Sequence, residues 1–419
     1  MTEPRVHALI RELKERRGSD LHLSPGYPVM MRVHGHLAER DPKVLTADDT
    51  RACVEPLFDL RLAASLEQTG EADFAIEIPD VARARANVFR TQRGIAAVFR
   101  LIPEKVPSID DLALPPAIQL VPKLRSGLVL VTGPTGSGKS TTLAAIIDAI
   151  NREREAHILT IEDPIEFVHP NKSSHVTQRA VGIHAPSFAE AIRAAGREDP
   201  DVILVGEMRD LETISQALTC AEFGILVFGT LHTNSASKSV DRIVDSFPAD
   251  QQSQVRSMLA ESLKFVVAQR LVRTTDGKGR AGAFEILISN PAIANLIREG
   301  KTSQLQSVMQ TGTQVGMQTM EQALAKLIQA GKVTLEDALE YSSDPAALQR
   351  LVGGGGGMSG PPTPMPRSGP GGSVPPSRPG PGPGGPVTPM PRPGGPGLPP
   401  RPGGPGMPPR PGGPGRPSS

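Results

Sequence analysis

A phosphate-binding motif is the strongest chemical signal in this chain. The pattern G-x-x-x-x-G-K-[ST] is matched at every position, and a threonine follows it. The residues concerned are Gly133, Pro134, Thr135, Gly136, Ser137, Gly138, Lys139, Ser140 and Thr141. In such a loop the backbone N–H groups face the phosphates, the Lys139 ammonium reaches the outer phosphates and the Ser140 hydroxyl can ligate Mg²⁺. We therefore expect a nucleotide site, with ATP and Mg²⁺ as the cofactors.

The sequence around this motif has the order strand, loop, helix. The apolar run at 128–131 predicts a buried strand that enters the loop, and apolar residues at 143, 146, 147 and 150 follow at helical spacing. An ordinary glycine-rich turn is the alternative, but it requires Lys139 and Ser140 to fall in place by chance. The context favours a phosphate loop.

Acidic residues follow two further predicted strands. Glu162 comes after the apolar run 158–161, and Glu207 follows the run 202–206. Because the carboxyl ends of parallel strands point to one crevice, both carboxylates should face the phosphate loop. We expect Glu207 to polarise the attacking water and Glu162 to join the magnesium shell or its water network. A solvated charge is the commoner role for one such glutamate, but two in register with the loop favour catalysis.

His232 closes another predicted strand, 227–231. At that edge of the sheet the imidazole could donate a hydrogen bond to the γ-phosphate, and its protonation could be tuned near neutral pH. A structural histidine is the competing interpretation.

Phosphoryl transfer usually needs a cation at the transition state. Arg83 and Arg85 are candidates because alternate residues of a strand share one face. A solvated basic face explains them equally well. If they reach ATP, we expect them to do so across a subunit boundary. The other arginines considered are Arg90, Arg93, Arg100, Arg193, Arg197 and Arg209.

The order of predicted strands and helices along the chain indicates an α/β protein. It predicts a small α+β domain at 1–107, a proline-rich linker at 108–122 and an ATPase domain at 123–352. In the last of these, strands alternate with helices, Ser187 and Asp210 are placed to cap helices, and Gly224 is placed to end one. Helices predicted around 250–271, 291–299, 318–330 and 334–350 give the domain an all-helical close, with a strand at 284–288 after the first. Residues 353–419 are Gly- and Pro-rich and too poor in large aliphatic residues to bury a core, so we expect a disordered tail.

Charge and cysteine content restrict the possible partners. The tail carries six arginines and no acidic residue, which leaves the preceding chain mildly acidic although the whole chain is +1. This balance argues against nucleic-acid binding through charge. Cys53 and Cys220 are far apart and predict neither a disulfide nor a zinc site, which suits a cytoplasmic protein. No apolar run is long enough to span a bilayer, so association with a membrane would be peripheral.

Four motifs in this order resemble the Walker A, Asp, Walker B and His boxes of the secretion-ATPase superfamily. They lie at 133–141, 158–167, 201–210 and 229–234. Within the superfamily the chain is similar to the type IV pilus retraction ATPases, the PilT group. The supporting segments are 19–23 and 31–35 near the start and 292–300 near the end.

This resemblance implies a homohexameric ring with a PAS-like N-terminal domain and a RecA-like ATPase domain. ATP would lie between the two domains, completed by arginines of the first. The ring would bind a platform protein at the cytoplasmic face of the inner membrane and depolymerise the pilus, which powers twitching motility.

Three features depart from the family pattern. Ala294 stands where an arginine is usual in a motif tied to retraction, and Gly196 should cost about 1 kcal/mol if it lies inside a helix. The tail is the third departure, and it could be either a linker-like appendage or a weak docking arm for a partner. Two alternative functions therefore stay open: an accessory paralogue that modulates another pilus ATPase, or an ATPase for secretion or DNA uptake.

Overall fold

The computed structural model describes residues 4–33, 35–79, 81–102 and 105–353. Two β-sheets organise this part of the chain. No helix among the described residues is both long enough and apolar enough to cross a membrane. Of the predicted tail, 353–419, all but Gly353 lies outside the described residues.

The first sheet has six antiparallel strands in the order β3-β2-β1-β6-β5-β4. Its elements are α1 (Arg5–Glu15), β1 (Gly18–Leu23), β2 (Pro28–Val33), β3 (His36–Val44), α2 (Ala47–Val54), α3 (Leu60–Thr69), β4 (Glu71–Ile78), β5 (Ala82–Thr91) and β6 (Gly94–Ile102). Helix α1 buries Val6, Ile10 and Leu13 against the sheet, as its apolar spacing predicts. Strand β3 was not predicted, because it is an edge strand with no buried residue and therefore has no apolar alternation.

The second sheet has seven strands in the order β13-β12-β7-β11-β10-β8-β9. Its strands are β7 (Gly127–Thr132), β8 (His157–Glu162), β9 (His175–Ala180), β10 (Val202–Val205), β11 (Leu226–Leu231), β12 (Leu263–Arg273) and β13 (Arg280–Ile288). Neighbouring strands are parallel except for the antiparallel pair β12 and β13. Strand β7 is buried along its whole length, as central parallel strands are when helices cover both faces.

Ten helices of the described chain accompany this sheet. They are α4 (Lys139–Glu153), α5 (Phe188–Ala195), α6 (Leu211–Glu222), α7 (Ala236–Asp245), α8 (Gln252–Ser262), α9 (Pro291–Arg298), α10 (Leu305–Thr311), α11 (Met320–Gln329), α12 (Leu335–Tyr341) and α13 (Pro345–Gly353). The predicted caps are confirmed: Ser187 accepts a hydrogen bond from the Glu190 N–H, and Asp210 accepts one from the Thr213 N–H. Gly224 follows α6 with a left-handed φ of 95°.

The predicted helix at 250–271 is wrong in its second half. Helix α8 ends at Ser262, and the chain continues as β12 between β7 and β13. The apolar run Phe265-Val266-Val267-Ala268 is buried on both faces of the strand, and periodicity alone cannot distinguish such a run from a buried helix. The close of the domain is therefore a strand pair followed by helices, not helices alone.

The predicted helix at 334–350 is also divided, into α12 and α13. The break comes at Ser342, and Pro345 begins the second helix. Gly196 lies at the C-terminal end of α5 rather than inside it, so the predicted cost of an interior glycine does not arise.

The segment expected to be a linker contributes to a core. Ile109, Ile118 and Val121 are buried in one cluster with side chains of β7 and α4. Residues Pro116–Lys123 form a short 3₁₀ turn in this segment. The chain from 109 to 121 therefore packs against the second sheet's helix layer, despite its prolines.

Candidate active site

The phosphate loop joins the C-terminal end of β7 to the first turn of α4. Gly133 and Gly138 have φ values of 146° and 88°, which side chains rarely adopt. A Cβ at Gly133 would lie 2.4 Å from the Gln269 carbonyl oxygen, and one at Gly138 would lie 2.8 Å from Gln269 Nε2. Glycine is therefore required at both positions by conformation and by the close approach of β12.

Lys139, the first residue of α4, turns back over this loop. Its Nζ donates hydrogen bonds to the carbonyl oxygens of Gly133, at 2.9 Å, and Pro134, at 3.2 Å. Burial lowers the pKa of this ammonium group, while the carboxylates of Glu207 and Glu166 oppose the shift. The cation is thus held beside the backbone that would surround the phosphates.

Glu207 and His232 meet beside the loop although they are 25 positions apart in sequence. Glu207 lies just beyond β10, and His232 directly follows β11. His232 Nε2 is 2.9 Å from Glu207 Oε1, and the same oxygen accepts a hydrogen bond from Arg209 Nε. The adjacent parallel strands bring these groups together, as their positions at strand ends predict.

Glu162 is held by a network at the end of β8. Its Oε1 accepts hydrogen bonds from Thr160 Oγ1, at 2.7 Å, and Gln178 Nε2, at 3.2 Å. The Glu166 N–H approaches its Oε2 at 3.4 Å. Burial raises the pKa of this carboxyl group, against the effect of those hydrogen bonds. The network fixes the carboxyl group in one orientation.

These elements surround a cavity of about 360 Å³. The sequence-predicted residues that line it are Lys139, Ser140, Glu162, Glu207, His232, Arg85 and the alternative cation Arg209. The volume falls in the range of small-molecule sites, and the lining is mainly polar and charged. Arg83 is not among the described residues that line this cavity, and its Nε lies 4.0 Å from Glu77 Oε2. The structure thus brings together every predicted catalytic side chain except Arg83.

Arg85 reaches the cavity of its own chain, whereas the sequence predicted access across a subunit boundary. It lies on β5 and pairs with Asp73 of β4 through both Nε and Nη2. Asp73 also lines the cavity. Among the other arginines, Arg100 forms an ion pair with Asp20 at 2.7 Å. The first domain therefore places one cation, with its own counter-ion, at the site.

Sequence reasoning missed Gln269. Its side chain is buried, and its Oε1 accepts a hydrogen bond of 2.8 Å from Thr142 Oγ1 of α4. Since this region was predicted to be helical, no signal connected it with the phosphate loop. The register places the preceding residue, Ala268, beside Thr132 at the end of β7.

The donors at this site suit Mg²⁺. The Ser140 hydroxyl and the carboxylates of Glu162 and Glu207 line one cavity, and hard oxygen ligands are those that Mg²⁺ prefers. Within the described part of the chain, no group of three His, Cys, Asp or Glu side chains could hold a metal ion without other ligands.

Comparisons with known proteins agree with this arrangement. The model of a family described as type II/IV secretion system protein matches residues 1–340. A twitching motility protein of Neisseria gonorrhoeae is 54% identical over 309 residues, which cover 74% of this chain and 83% of the relative. The type IV pilus retraction ATPase PilT of Pseudomonas aeruginosa is 51% identical over 327 residues, which cover 78% of this chain and 95% of the relative.

A solved structure is also similar. The crystal structure of the pilus retraction motor PilT with bound ADP has a TM-score of 0.76 and 47% sequence identity, and the match covers 83% of this chain and 100% of that one. The likeness therefore extends through both sheets rather than the phosphate loop alone.

Proposed function

The chain belongs to the type II/IV secretion system protein family, and we propose that it is an ATP-hydrolysing motor that powers retraction of type IV pili. The observation that carries the proposal is the meeting of Lys139, Glu207 and His232 at one cavity, in a chain about half identical to retraction and twitching proteins. A phosphate loop alone would fit many nucleotide-binding proteins. The paired carboxylate and imidazole add the means to hydrolyse the nucleotide.

Glu207 is the general base of the proposed reaction. It accepts a proton from a water molecule whose oxygen attacks the γ-phosphorus of ATP, while the bond to the β,γ-bridging oxygen breaks. His232 and Arg209 both contact Glu207 Oε1, so they orient the carboxylate towards the water. The proton then leaves with phosphate, and ADP remains until it is exchanged.

The other predicted residues bind and orient the substrate. Lys139 neutralises the outer phosphates, and the loop N–H groups hold the inner ones. Ser140 and the water network around Glu162 would hold Mg²⁺, which when bound neutralises charge that develops on the phosphate oxygens. Arg85 is the proposed transition-state cation, and it would exchange Asp73 for the γ-phosphate.

The larger organisation that we propose follows the family resemblance. Residues 1–107 would be the PAS-like domain, 108–122 the connection, 123–352 the RecA-like ATPase domain and 353–419 a disordered tail. Six copies would form a ring in the cytoplasm, docked peripherally at the inner membrane on the pilus platform protein, with a second pilus ATPase as a further partner. Nucleic acid is not an expected partner.

Retraction by a strain that carries this chain as its sole retraction ATPase tests the proposal. We expect such cells to retract fluorescently labelled pili and to twitch, because the proposed catalytic residues Glu207, His232 and Arg85 line one cavity. Expression of the Glu207→Gln variant in the same strain is the matched control and should leave pili extended. Normal ATPase activity in the purified protein without retraction in cells would favour the accessory function. Ala294, in place of the usual arginine, is the sequence feature that suggests this function.

Arg85→Ala should lower kcat by about 10³-fold, the lower range for loss of a transition-state arginine, with a smaller effect on ATP affinity. Mixing this variant with Glu207→Gln then identifies the subunit that supplies the arginine. If Arg85 serves the cavity of its own chain, each site in a mixed assembly lacks one essential group and activity stays low. Recovery of activity on mixing would instead establish action across a subunit boundary. Arg100→Ala is the control, since Arg100 pairs with Asp20.

A further inference from the structure

A buried carboxylate, Glu285, lies on β13, two strands away from β7, which leads into the phosphate loop. Glu285 is on β13 opposite Ala268 of β12, and Ala268 is opposite Thr132 at the end of β7. Its side chain is almost completely buried, with 5% of its surface exposed. Burying a carboxylate is costly unless donors surround it, so its partners indicate what it does.

The partners of Glu285 are the first N–H groups of two helices. Its Oε1 accepts a hydrogen bond of 2.6 Å from the Ala236 N–H, and Ala236 begins α7. The Met320 N–H, the first of α11, faces the same carboxylate and favours its charged form. A helix N-terminus carries unpaired N–H groups and partial positive charge, so one carboxylate satisfies both ends.

Helix α7 matters because its N-terminus directly follows the loop that carries His232. Thr233 Oγ1 is 2.7 Å from Ser239 Oγ, and Ser239 Oγ also donates to the Ser235 carbonyl at 2.7 Å. These bonds join the loop to α7 itself. The Glu285 bond to Ala236 joins the loop and helix to the sheet, at the level of the phosphate loop.

Two other charged groups face Glu285. Glu321 of α11 is also buried, and its Oε1 accepts hydrogen bonds of 3.1 Å from the N–H groups of Ser343 and Asp344, before α13. Arg270 of β12 partly offsets the two negative charges. Burial, helped by Glu321, raises the pKa of Glu285 to about 7. The uncharged form is therefore accessible near neutral pH.

We propose that Glu285 is a positioning residue for hydrolysis: it anchors the N-terminus of α7, so that His232 is held against Glu207, and it ties that anchor to the C-terminal helices through α11. The inference rests on the proposed function, because it assumes that the contact between His232 and Glu207 serves ATP hydrolysis. Glu285 is not among the described residues that line the nucleotide cavity. Its effect should thus fall on turnover and not on ATP binding.

The Glu285→Leu variant, which removes both acceptor oxygens, tests this kinetically. We expect kcat to fall about tenfold or more while KM for ATP changes less than about twofold, as when a catalytic group is displaced without loss of ground-state binding. In a His232→Ala background the same change should have no further effect, because Glu285 acts through His232. If the two substitutions lowered kcat by the product of their separate effects in the double variant, the proposal would be overturned. Glu321→Leu, which removes a buried carboxylate that holds α13 rather than α7, should retain wild-type kcat.

Amide hydrogen exchange of the nucleotide-free protein gives a readout that does not depend on activity. Glu285→Leu should increase exchange in residues 232–240, and Glu321→Leu should do so only around 343–345. Unchanged exchange in 232–240 would overturn the anchoring role even if the enzyme is slower. Increased exchange in a protein whose wild type does not hydrolyse ATP would instead refute the proposed function and leave the anchor established. Thermal unfolding of both variants confirms that each is folded.

Discussion

Glu207→Gln should lower the ATP turnover of this protein by about 10³-fold or more, because the general base and its charge are lost together. The amide keeps the shape of the side chain but cannot accept the proton from water. It also removes the negative charge that holds Arg209 Nε and His232 Nε2. ATP binding should survive, since Lys139 and the loop are untouched. Single-turnover hydrolysis, alongside equilibrium binding of ATP, separates these two quantities.

Glu222→Gln is the matched control for this prediction. Glu222 is the exposed last residue of α6, and α6 leads away from the edge of the sheet at which Glu207 lies. The same chemical change there should leave turnover at the wild-type rate. If Glu207→Gln hydrolyses ATP at a rate within tenfold of wild type, Glu207 is not the base, and another group of the cavity must accept the proton.

The catalytic strand ends were predictable because their signals are local. Glu162, Glu207 and His232 each follow a short run of mainly apolar residues, and parallel strands of a doubly covered sheet produce such runs. The rule that their carboxyl ends share one crevice then brings the three together without any knowledge of strand order. The phosphate loop fixes which edge of the sheet that is.

The supporting residues were not predictable, because they depend on long-range pairing. Gln269 lies beneath the loop only because 263–273 forms a strand next to β7. The sequence of that segment is equally compatible with a helix. Asp73 faces Arg85 because β4 and β5 pair in a particular register. Glu285 meets α7 and α11 through contacts 49 and 35 positions away along the chain. No motif or periodicity within one segment contains such information.

The position of Arg85 illustrates the same limit at the level of domains. Its candidacy followed from its place on one strand face with Arg83, but the subunit that it serves depends on the path of the chain between the sheets. Prolines in that path suggested a free linker, whereas Ile109, Ile118 and Val121 pack into the second core. Burial of these side chains outweighs the local signal of the prolines, and Arg85 lies at the cavity of its own chain.

Lys139→Ala should lower turnover at limiting ATP by a different route, through weaker ATP binding. The Lys139 ammonium is the cation held within the loop by Gly133 and Pro134, and burial strengthens its interaction with phosphate because few waters screen the charge. We expect the dissociation constant for ATP to rise by about 10²-fold, as for the loss of a charge-assisted contact in a desolvated site. Isothermal titration with a non-hydrolysable ATP analogue measures it.

Comparison with Glu207→Gln separates ATP binding from hydrolysis, because the two variants should lose activity through different steps. Lys139→Ala should bind weakly, and Glu207→Gln should bind well and hydrolyse poorly. Lys301→Ala, which removes an exposed lysine paired with Glu299, should do neither. In cells, both site variants should leave pili extended, but an excess of the Glu207→Gln chain should also block retraction by wild-type subunits if they share one ring. Wild-type affinity in Lys139→Ala would show that the loop amides alone hold the phosphates, and Lys139 would then act on the transition state.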